Sequence, residues 1–208
     1  MGREKPDFYA LKAQREGYPA RSVYKLEEIQ QKTGLLKKNL RVLDVGSSPG
    51  SWSLYTLKLL EGTGFLVGID LAPVKLKTFP ANAFFFQGDL FDESSLNILK
   101  DKGPFEVILS DAAPSTTGNR TVDTARSYRL VERVIEVAEQ VLVPGGSLLA
   151  KIFQGGDEKA LLERLNSLFR QTKILRPKAV RDESFETYFL GTSLIRPQVA
   201  GVKPPAEL

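Results

Sequence analysis

Short apolar runs alternate with stretches of helical periodicity along almost the whole chain. The runs predict strands at 41–45, 65–69, 83–87, 105–109 and 147–152, and two more at 171–176 and 186–194, the last containing Gly191. Between them the spacing predicts helices at about 50–61, 93–101 and 156–169. A further helix follows a polar loop over 112–123. Its Val131, Val134, Ile135, Ala138, Val141 and Leu142 recur on one face until Pro144-Gly145-Gly146 stops it. An N-terminal helical segment covers about 8–33 and ends at Thr33-Gly34, and the tail 197–208 reads as disordered. Strands alternating with helices predict one α/β domain built on a mainly parallel sheet. Residues 1–40 form its basic N-terminal arm and residues 41–196 its catalytic body.

The carboxyl ends of the strands carry the chemistry, as expected where an open α/β sheet forms its ligand crevice. Val42-Leu43-Asp44-Val45 runs into Gly46-Ser47-Ser48-Pro49-Gly50, and a helix begins near Trp52. Glycines between a strand and a helix let backbone approach a ligand, and the helix start offers free N–H groups. The loop is not a dinucleotide GxGxxG, because Ser48 and Pro49 occupy its centre. An acidic strand followed by this loop suits a ligand with an amino-acid carboxylate and ammonium, such as S-adenosylmethionine. Asp70, Asp89 and Asp111 follow three successive strands, and Lys151 lies near the end of a fourth. Asp70 stands about twenty residues past the loop, where an acid accepts from ribose hydroxyls. Asp89 is placed to accept from an adenine amino group. Asp92 reads as a helix cap.

Composition narrows the choice of reacting groups. The 208 residues contain no histidine and no cysteine. Disulfides, thiolate catalysis and a His-based zinc site are excluded, and proton transfer falls to Asp, Glu, Lys or Tyr. No metal site is expected. Apolar content is 42 % and charged content 26 %, with no run long enough to span a membrane. The start MGREKPDFYALK is charged and lacks the apolar core of a secretory leader, so a cytoplasmic, monomeric protein is expected. Net charge is only +4, but residues 1–41 hold ten Lys and Arg against five Asp and Glu, whereas the remainder holds 19 against 20. Basic charge gathered at one end points to a polyanionic partner, RNA foremost.

Seven segments together carry a family resemblance: ARSVYKLEEIQ (20–30), VLDVGSSPGSWS (42–53), GIDL (68–71), QGDLFDE (87–93), SDAAPSTTG (110–118), LAKIFQGGD (149–157) and SFETYFLG (184–191). The chain resembles the FtsJ/RrmJ ribose 2′-O-methyltransferases from about Asp7 to Ile195. The resemblance implies a Rossmann-like methyltransferase fold of seven strands, the last antiparallel, with helices on both faces. It implies S-adenosylmethionine as methyl donor and a catalytic tetrad at Lys25, Asp111, Lys151 and Glu186. Cofactor contacts would fall on Gly46, Gly50, Trp52, Asp70, Asp89 and Asp111. Ser47, Ser48 and Ser51 stand where the family usually has smaller residues, and Val23 replaces an arginine often found after the serine at 22.

For methyl transfer to a ribose hydroxyl, Lys151 is the expected proton acceptor. Burial and the second ammonium of Lys25 favour its neutral form, while Asp111 and Glu186 favour the charged one, which would instead steady the developing alkoxide. Asp111 would orient Lys151, Lys25 would position the ribose or its phosphate, and Glu186 would hold the lysines in register. The loop 112–123 reads as a cover in which Arg120 meets a phosphate, and Tyr24, Tyr128 and Tyr188 are candidate base platforms. The expected substrate is a uridine of 23S rRNA in the large ribosomal subunit. A tRNA anticodon-loop methyltransferase and a non-catalytic RNA-binding assembly factor are the competing readings. Pro49 and the lack of a substrate domain set a nicotinamide dehydrogenase aside.

Overall fold

The strands β1 (Arg41–Val45), β2 (Phe65–Asp70), β3 (Ala83–Gln87), β4 (Phe105–Ser110), β5 (Leu142–Phe153), β6 (Phe169–Leu175) and β7 (Glu186–Leu194) form one sheet. Their order across it is β3-β2-β1-β4-β5-β7-β6. This is a computed structural model, and it describes residues 7–195 apart from 77 and 182. Pairing is parallel from β3 to β5, and β7 runs antiparallel to both β5 and β6. The chain leaves β1 toward β3, then returns to the other side of β1 with β4. A crevice therefore opens between the carboxyl ends of β1 and β4, where the loops diverge.

Side-chain alternation along the strands builds a core on each face. Leu43 and Val45 pack in one layer with α4 (Glu93–Lys102), α5 (Arg120–Val141) and α6 (Glu158–Leu168), through Leu99, Val134, Ile135 and Leu165. Val42, Leu109 and Leu149 face the other layer, with α1 (Phe8–Arg15), α2 (Val23–Thr33) and α3 (Ser51–Leu60). Leu26, Ile29 and Leu60 are fully or almost fully buried there. Within the basic N-terminal arm, α1 and α2 thus contribute to the core. No helix among the described residues is long and apolar enough to cross a membrane.

Three boundaries differ from expectation. The N-terminal helical segment is broken into α1 and α2, because Gly17 takes a left-handed φ of 79° and Pro19 follows it. The long helix begins at Arg120, taking in the last four residues of the expected loop 112–123, with the Asn119 side chain accepting from the Val122 N–H at 3.3 Å. Pro144-Gly145-Gly146 does not separate helix from strand: β5 already begins at Leu142. The register slips between the Phe105–Leu142 and Val107–Ser147 pairs, so these residues form an irregularity within the strand. Asp92 occupies the N-cap position of α4, yet its side chain makes no capping bond. The predicted tail 197–208 lies outside the described residues.

α3 is tied to β1 by a carboxyl–hydroxyl contact beneath the crevice. Ser53 Oγ donates to Asp44 Oδ2 at 2.5 Å, and both residues are fully buried. Burial pushes the Asp44 carboxyl up to about 7, with the Ser53 bond opposing and the charges of Asp111 and Asp70 adding to the rise. The folded protein therefore binds a proton here between about pH 4 and pH 7 that the unfolded chain has released. Stability from this group is complete below pH 4 and is lost as pH rises through 7. We expect urea-unfolding free energies between pH 5 and 7 to show a downward component of up to roughly 1.4 kcal/mol per pH unit that Asp44→Asn removes. Equal slopes in the two proteins would refute the assignment.

Candidate active site

A cavity of about 550 Å³ occupies the crevice, walled by Gly46, Ser48, Asp70, Asp89 and Asp111 with Leu71, Phe91 and Pro114 among the apolar groups. Its floor depends on Gly46. With φ at 80°, a Cβ there would lie 2.7 Å from the Ala112 Cα, so glycine lets the loops after β1 and β4 touch. The Gly46 and Ser47 N–H groups both donate to the Ile69 carbonyl, at 2.9 and 3.1 Å, which fixes the loop to β2. Asp70 in turn accepts from the Ser48 N–H at 2.9 Å and the Ala72 N–H at 2.8 Å. Asp89 accepts from the Phe91 N–H at 2.9 Å. Each carboxylate keeps unused acceptor capacity toward the cavity. Three acids beside the Phe91 ring and aliphatic groups suit a ligand that carries hydroxyl donors, a planar ring system and positive charge.

Asp111 belongs to this wall and also to a second set of groups at the ends of β5 and β7. Lys151 Nζ lies 3.1 Å from Asp111 Oδ1 and donates to the Asp111 carbonyl at 2.5 Å. Tyr188, opposite Lys151 in the β5–β7 register, donates its hydroxyl to Asp111 Oδ1 at 2.8 Å. Burial, aided by the Asp111 and Glu186 charges, pushes the Tyr188 phenol well above its ordinary range, so it stays a donor. Glu186 lies two residues from Tyr188 on the same face of β7 and meets the Lys25 ammonium of α2. That contact is an ion pair, not an aligned hydrogen bond. The four residues expected as a tetrad thus form two partly buried ion pairs, Lys151 with Asp111 and Lys25 with Glu186.

Lys25 is positioned by the start of α3. Ser51 Oγ accepts from the Ala20 N–H at 2.7 Å and donates to the Ala20 carbonyl at 3.1 Å, while Trp52 Nε1 donates to the Ser22 carbonyl at 2.9 Å. The segment leading into α2 is held by these three bonds. On the other side, Glu28 accepts from the Lys178 and Ala179 N–H groups at 2.7 and 2.8 Å, joining α2 to the β6–β7 connection. Arg176 completes the frame, donating to the Glu186 carbonyl at 3.1 Å.

Several of the expected site residues are held by packing around the cavity. Trp52 is buried and stacked on Tyr188, with ring centroids 5.9 Å apart, and is not among the residues that wall the cavity. Gly50 caps α3 behind the loop, close to Val74 and Leu76, and likewise does not line the cavity. Tyr24 and Tyr188 are buried and offer no free face for a base, while Tyr128 is half-buried against the core. Arg120 does not point freely from a cover loop; it donates to the Gln154 carbonyl at 3.3 Å. Sequence reasoning missed the hydroxyl of Tyr188 as the second partner of Asp111. Its place two residues after Glu186 was the available signal, since both then face the same side of one strand.

Comparison with known proteins agrees with this geometry. Residues 18–194 match the FtsJ-like methyltransferase family. A protein of Treponema denticola named Ribosomal RNA large subunit methyltransferase E is 46 % identical over 186 residues, spanning 89 % of this chain and 94 % of the relative. A ribosomal RNA methyltransferase structure from Plasmodium falciparum superposes with a TM-score of 0.75 at 27 % identity, covering 85 % of this chain and 98 % of that one. Aeropyrum pernix fibrillarin, in complex with S-adenosyl-L-methionine, shares the fold at a TM-score of 0.60 and 17 % identity, over 82 % of this chain and 76 % of its own. The seven-stranded sheet, the glycine loop and the extent of the match make this chain a member of the FtsJ-like methyltransferase family.

Proposed function

We propose that the protein is an S-adenosylmethionine-dependent RNA ribose 2′-O-methyltransferase that modifies a uridine of the large-subunit rRNA. The observation that carries this reading is the double membership of Asp111: the same carboxylate walls the cavity and holds Lys151. A donor molecule in the cavity and a hydroxyl beside Lys151 are thereby brought to one point. The cavity residues fit S-adenosylmethionine: Asp70 for the ribose hydroxyls, Asp89 and Phe91 for the adenine, and the Gly46 loop with Asp111 for the methionine end. When bound, that group supplies an electrophilic sulfonium methyl to an incoming oxygen. The basic arm and the relatives' names support RNA as the acceptor.

The residues then divide the work. Two of the Lys151 contacts are taken by Asp111, which aims the remaining Nζ position at the acceptor hydroxyl. Once its ammonium has released a proton to solvent, Lys151 takes the hydroxyl proton as the acceptor oxygen attacks, and alignment of the reactants supplies most of the acceleration. Tyr188 keeps Asp111 turned toward Lys151. Lys25, held by Glu186 and by the α3 bonds, faces the acceptor's ribose or phosphate.

The deciding experiment supplies labelled S-adenosylmethionine with large subunits from cells lacking the enzyme, free rRNA or tRNA, and maps the modified nucleotide. We expect label on one rRNA uridine ribose; transfer to tRNA alone, or to nothing, rejects the assignment. Lys151→Arg keeps charge but cannot accept the proton. We expect it to lose at least about a hundredfold in single-turnover rate, as Lys151→Ala does, with S-adenosylhomocysteine affinity within twofold by calorimetry. A Lys151→Arg protein of near-normal rate would show that charge alone is required. Tyr188→Phe removes one donor from Asp111 and is expected to slow transfer about tenfold. Glu186→Gln should cost less than Tyr188→Phe, and the reverse order in a side-by-side rate measurement would contradict the roles given.

A further inference from the structure

Beside the paired lysines, two loops bring together a pile of flat groups that the methyl-transfer chemistry does not use. Phe153 ends β5 two residues after Lys151, and Phe185 immediately precedes Glu186 at the start of β7. Their rings lie 4.9 Å apart at an interplanar angle of 61°. Arg120, the first residue of α5, lays its guanidinium over the Phe185 ring, with Cζ 5.2 Å from the centroid. The pile is braced at each level. The Phe153 N–H donates to Ser127 Oγ at 3.0 Å, the Gln154 N–H donates to the Phe185 carbonyl at 2.8 Å, and Arg120 Nη2 donates to the Gln154 carbonyl at 3.3 Å. Phe153 is buried, Phe185 is half-buried and Arg120 is exposed. A gradient from buried ring to open guanidinium leaves a flat cationic plane as the outermost layer.

The charges around Arg120 do not consume that plane. Glu158, whose charge acts with that of Arg120, engages the Gly155 and Gly156 N–H groups at 2.8 Å each. One edge of the guanidinium is tied to the Gln154 carbonyl and one side of the group lies over the Phe185 ring, so what remains on this exposed residue is the side turned away from Phe185. A face of this kind takes a planar ring, whereas a phosphate is gripped by the donor edge. Its place is set by Lys151 and Glu186, which belong to the same two strand ends. A nucleotide whose ribose hydroxyl reaches Lys151 carries its base into the same neighbourhood. We propose that the Arg120–Phe185–Phe153 pile is the subsite for the unpaired base of the acceptor nucleotide, which stacks on the guanidinium plane. The proposal rests on the reading of this protein as an RNA ribose methyltransferase.

The test measures methylation of undermodified large subunits by wild-type protein and by Phe185→Leu, Phe185→Trp, Arg120→Lys and Arg120→Ala variants. Loss of one stacking partner raises KM for the subunits about five- to a hundredfold, with kcat within about threefold. Phe185→Leu retains bulk without a ring face and loses affinity, while Phe185→Trp restores it. Arg120→Lys keeps the charge without the plane and behaves like Arg120→Ala. Melting temperature and S-adenosylhomocysteine affinity stay at the wild-type values in all four. A normal KM for Phe185→Leu overturns the subsite, as does a parallel loss of S-adenosylhomocysteine affinity. A normal KM for Arg120→Lys beside a raised one for Arg120→Ala makes the contact a phosphate grip, and also overturns it. Wild-type protein that labels no RNA rejects the functional reading itself, an outcome distinct from any difference among the variants.

Discussion

The contact between Lys151 and Asp111 is the constraint around which the crevice is arranged. Lys151 interrupts an apolar strand, Leu148-Leu149-Ala150-Lys151-Ile152-Phe153, and is only 8 % exposed. An ammonium in such a place is costly unless a carboxylate and further hydrogen bonds meet it. Asp111 supplies both a carboxylate oxygen and a carbonyl, and Tyr188 occupies the carboxylate from the adjoining strand. The ends of β4, β5 and β7 are thereby fixed relative to one another by a charge that cannot be removed without stranding its partner, a loss of about 3–5 kcal/mol. The fold accepts that liability at the point where a donor molecule and an acceptor hydroxyl have to meet.

The second ion pair serves a different purpose. Lys25 and Glu186 join a helix to the sheet, and Glu28 with the Lys178 and Ala179 N–H groups joins the same helix to the β6–β7 connection. Trp52 is central to this arrangement because it faces two ways: its indole stacks on Tyr188 and its Nε1–H reaches the Ser22 carbonyl. One side chain therefore touches both the residue that orients Asp111 and the segment that leads to Lys25. Part of the arm's positive charge is neutralised internally, since Arg21 pairs with Asp7, Lys12 with Glu16 and Glu27, and Lys38 with Glu61.

How much of this was legible depends on the range over which each feature is determined. The strand positions were readable because their cores are local apolar runs, and β1 through β4 lie within a residue of where those runs put them. The break between α1 and α2 had its signal in Gly17 and Pro19, but Val23, Leu26 and Ile29 continued an apolar pattern that masked it. Pro144-Gly145-Gly146 has the composition of a stop, and only the pairing of Leu142 with Phe105 makes it an irregularity inside β5. The acids at the strand ends were visible as a set because the topology rule places them at one edge. The grouping of Lys25 with Glu186 in one site had no local signature and came from the family resemblance; their pairing is seen only in the structure. Trp52 also came into the site through the resemblance, and no local pattern foretold that its indole stacks on Tyr188 and bonds the Ser22 carbonyl. Arg120 and Phe185 belong to elements far apart in the chain, so no window on the sequence joins them.

The electrostatics of the cavity follow from what the neighbouring charges do to one another. Asp70, Asp89 and Asp111 bring three carboxylates to one wall, and Asp44 lies buried within reach of two of them. Four ionised acids in this volume would repel strongly at low dielectric. Two features relieve that repulsion. Lys151 offsets Asp111, and Asp44, raised to about 7 by burial, keeps its proton on the acid side of pH 7. What remains is an acidic wall formed by Asp70 and Asp89, within a lining that also includes Arg126 and Arg129. Such a wall favours a ligand with a positive centre over the same ligand after that charge has been lost. For the donor proposed above, loss of the sulfonium charge on methyl transfer would weaken the hold of Asp70 and Asp89 on the spent product. Binding preference and product release would then have a common origin in the acids that end the strands.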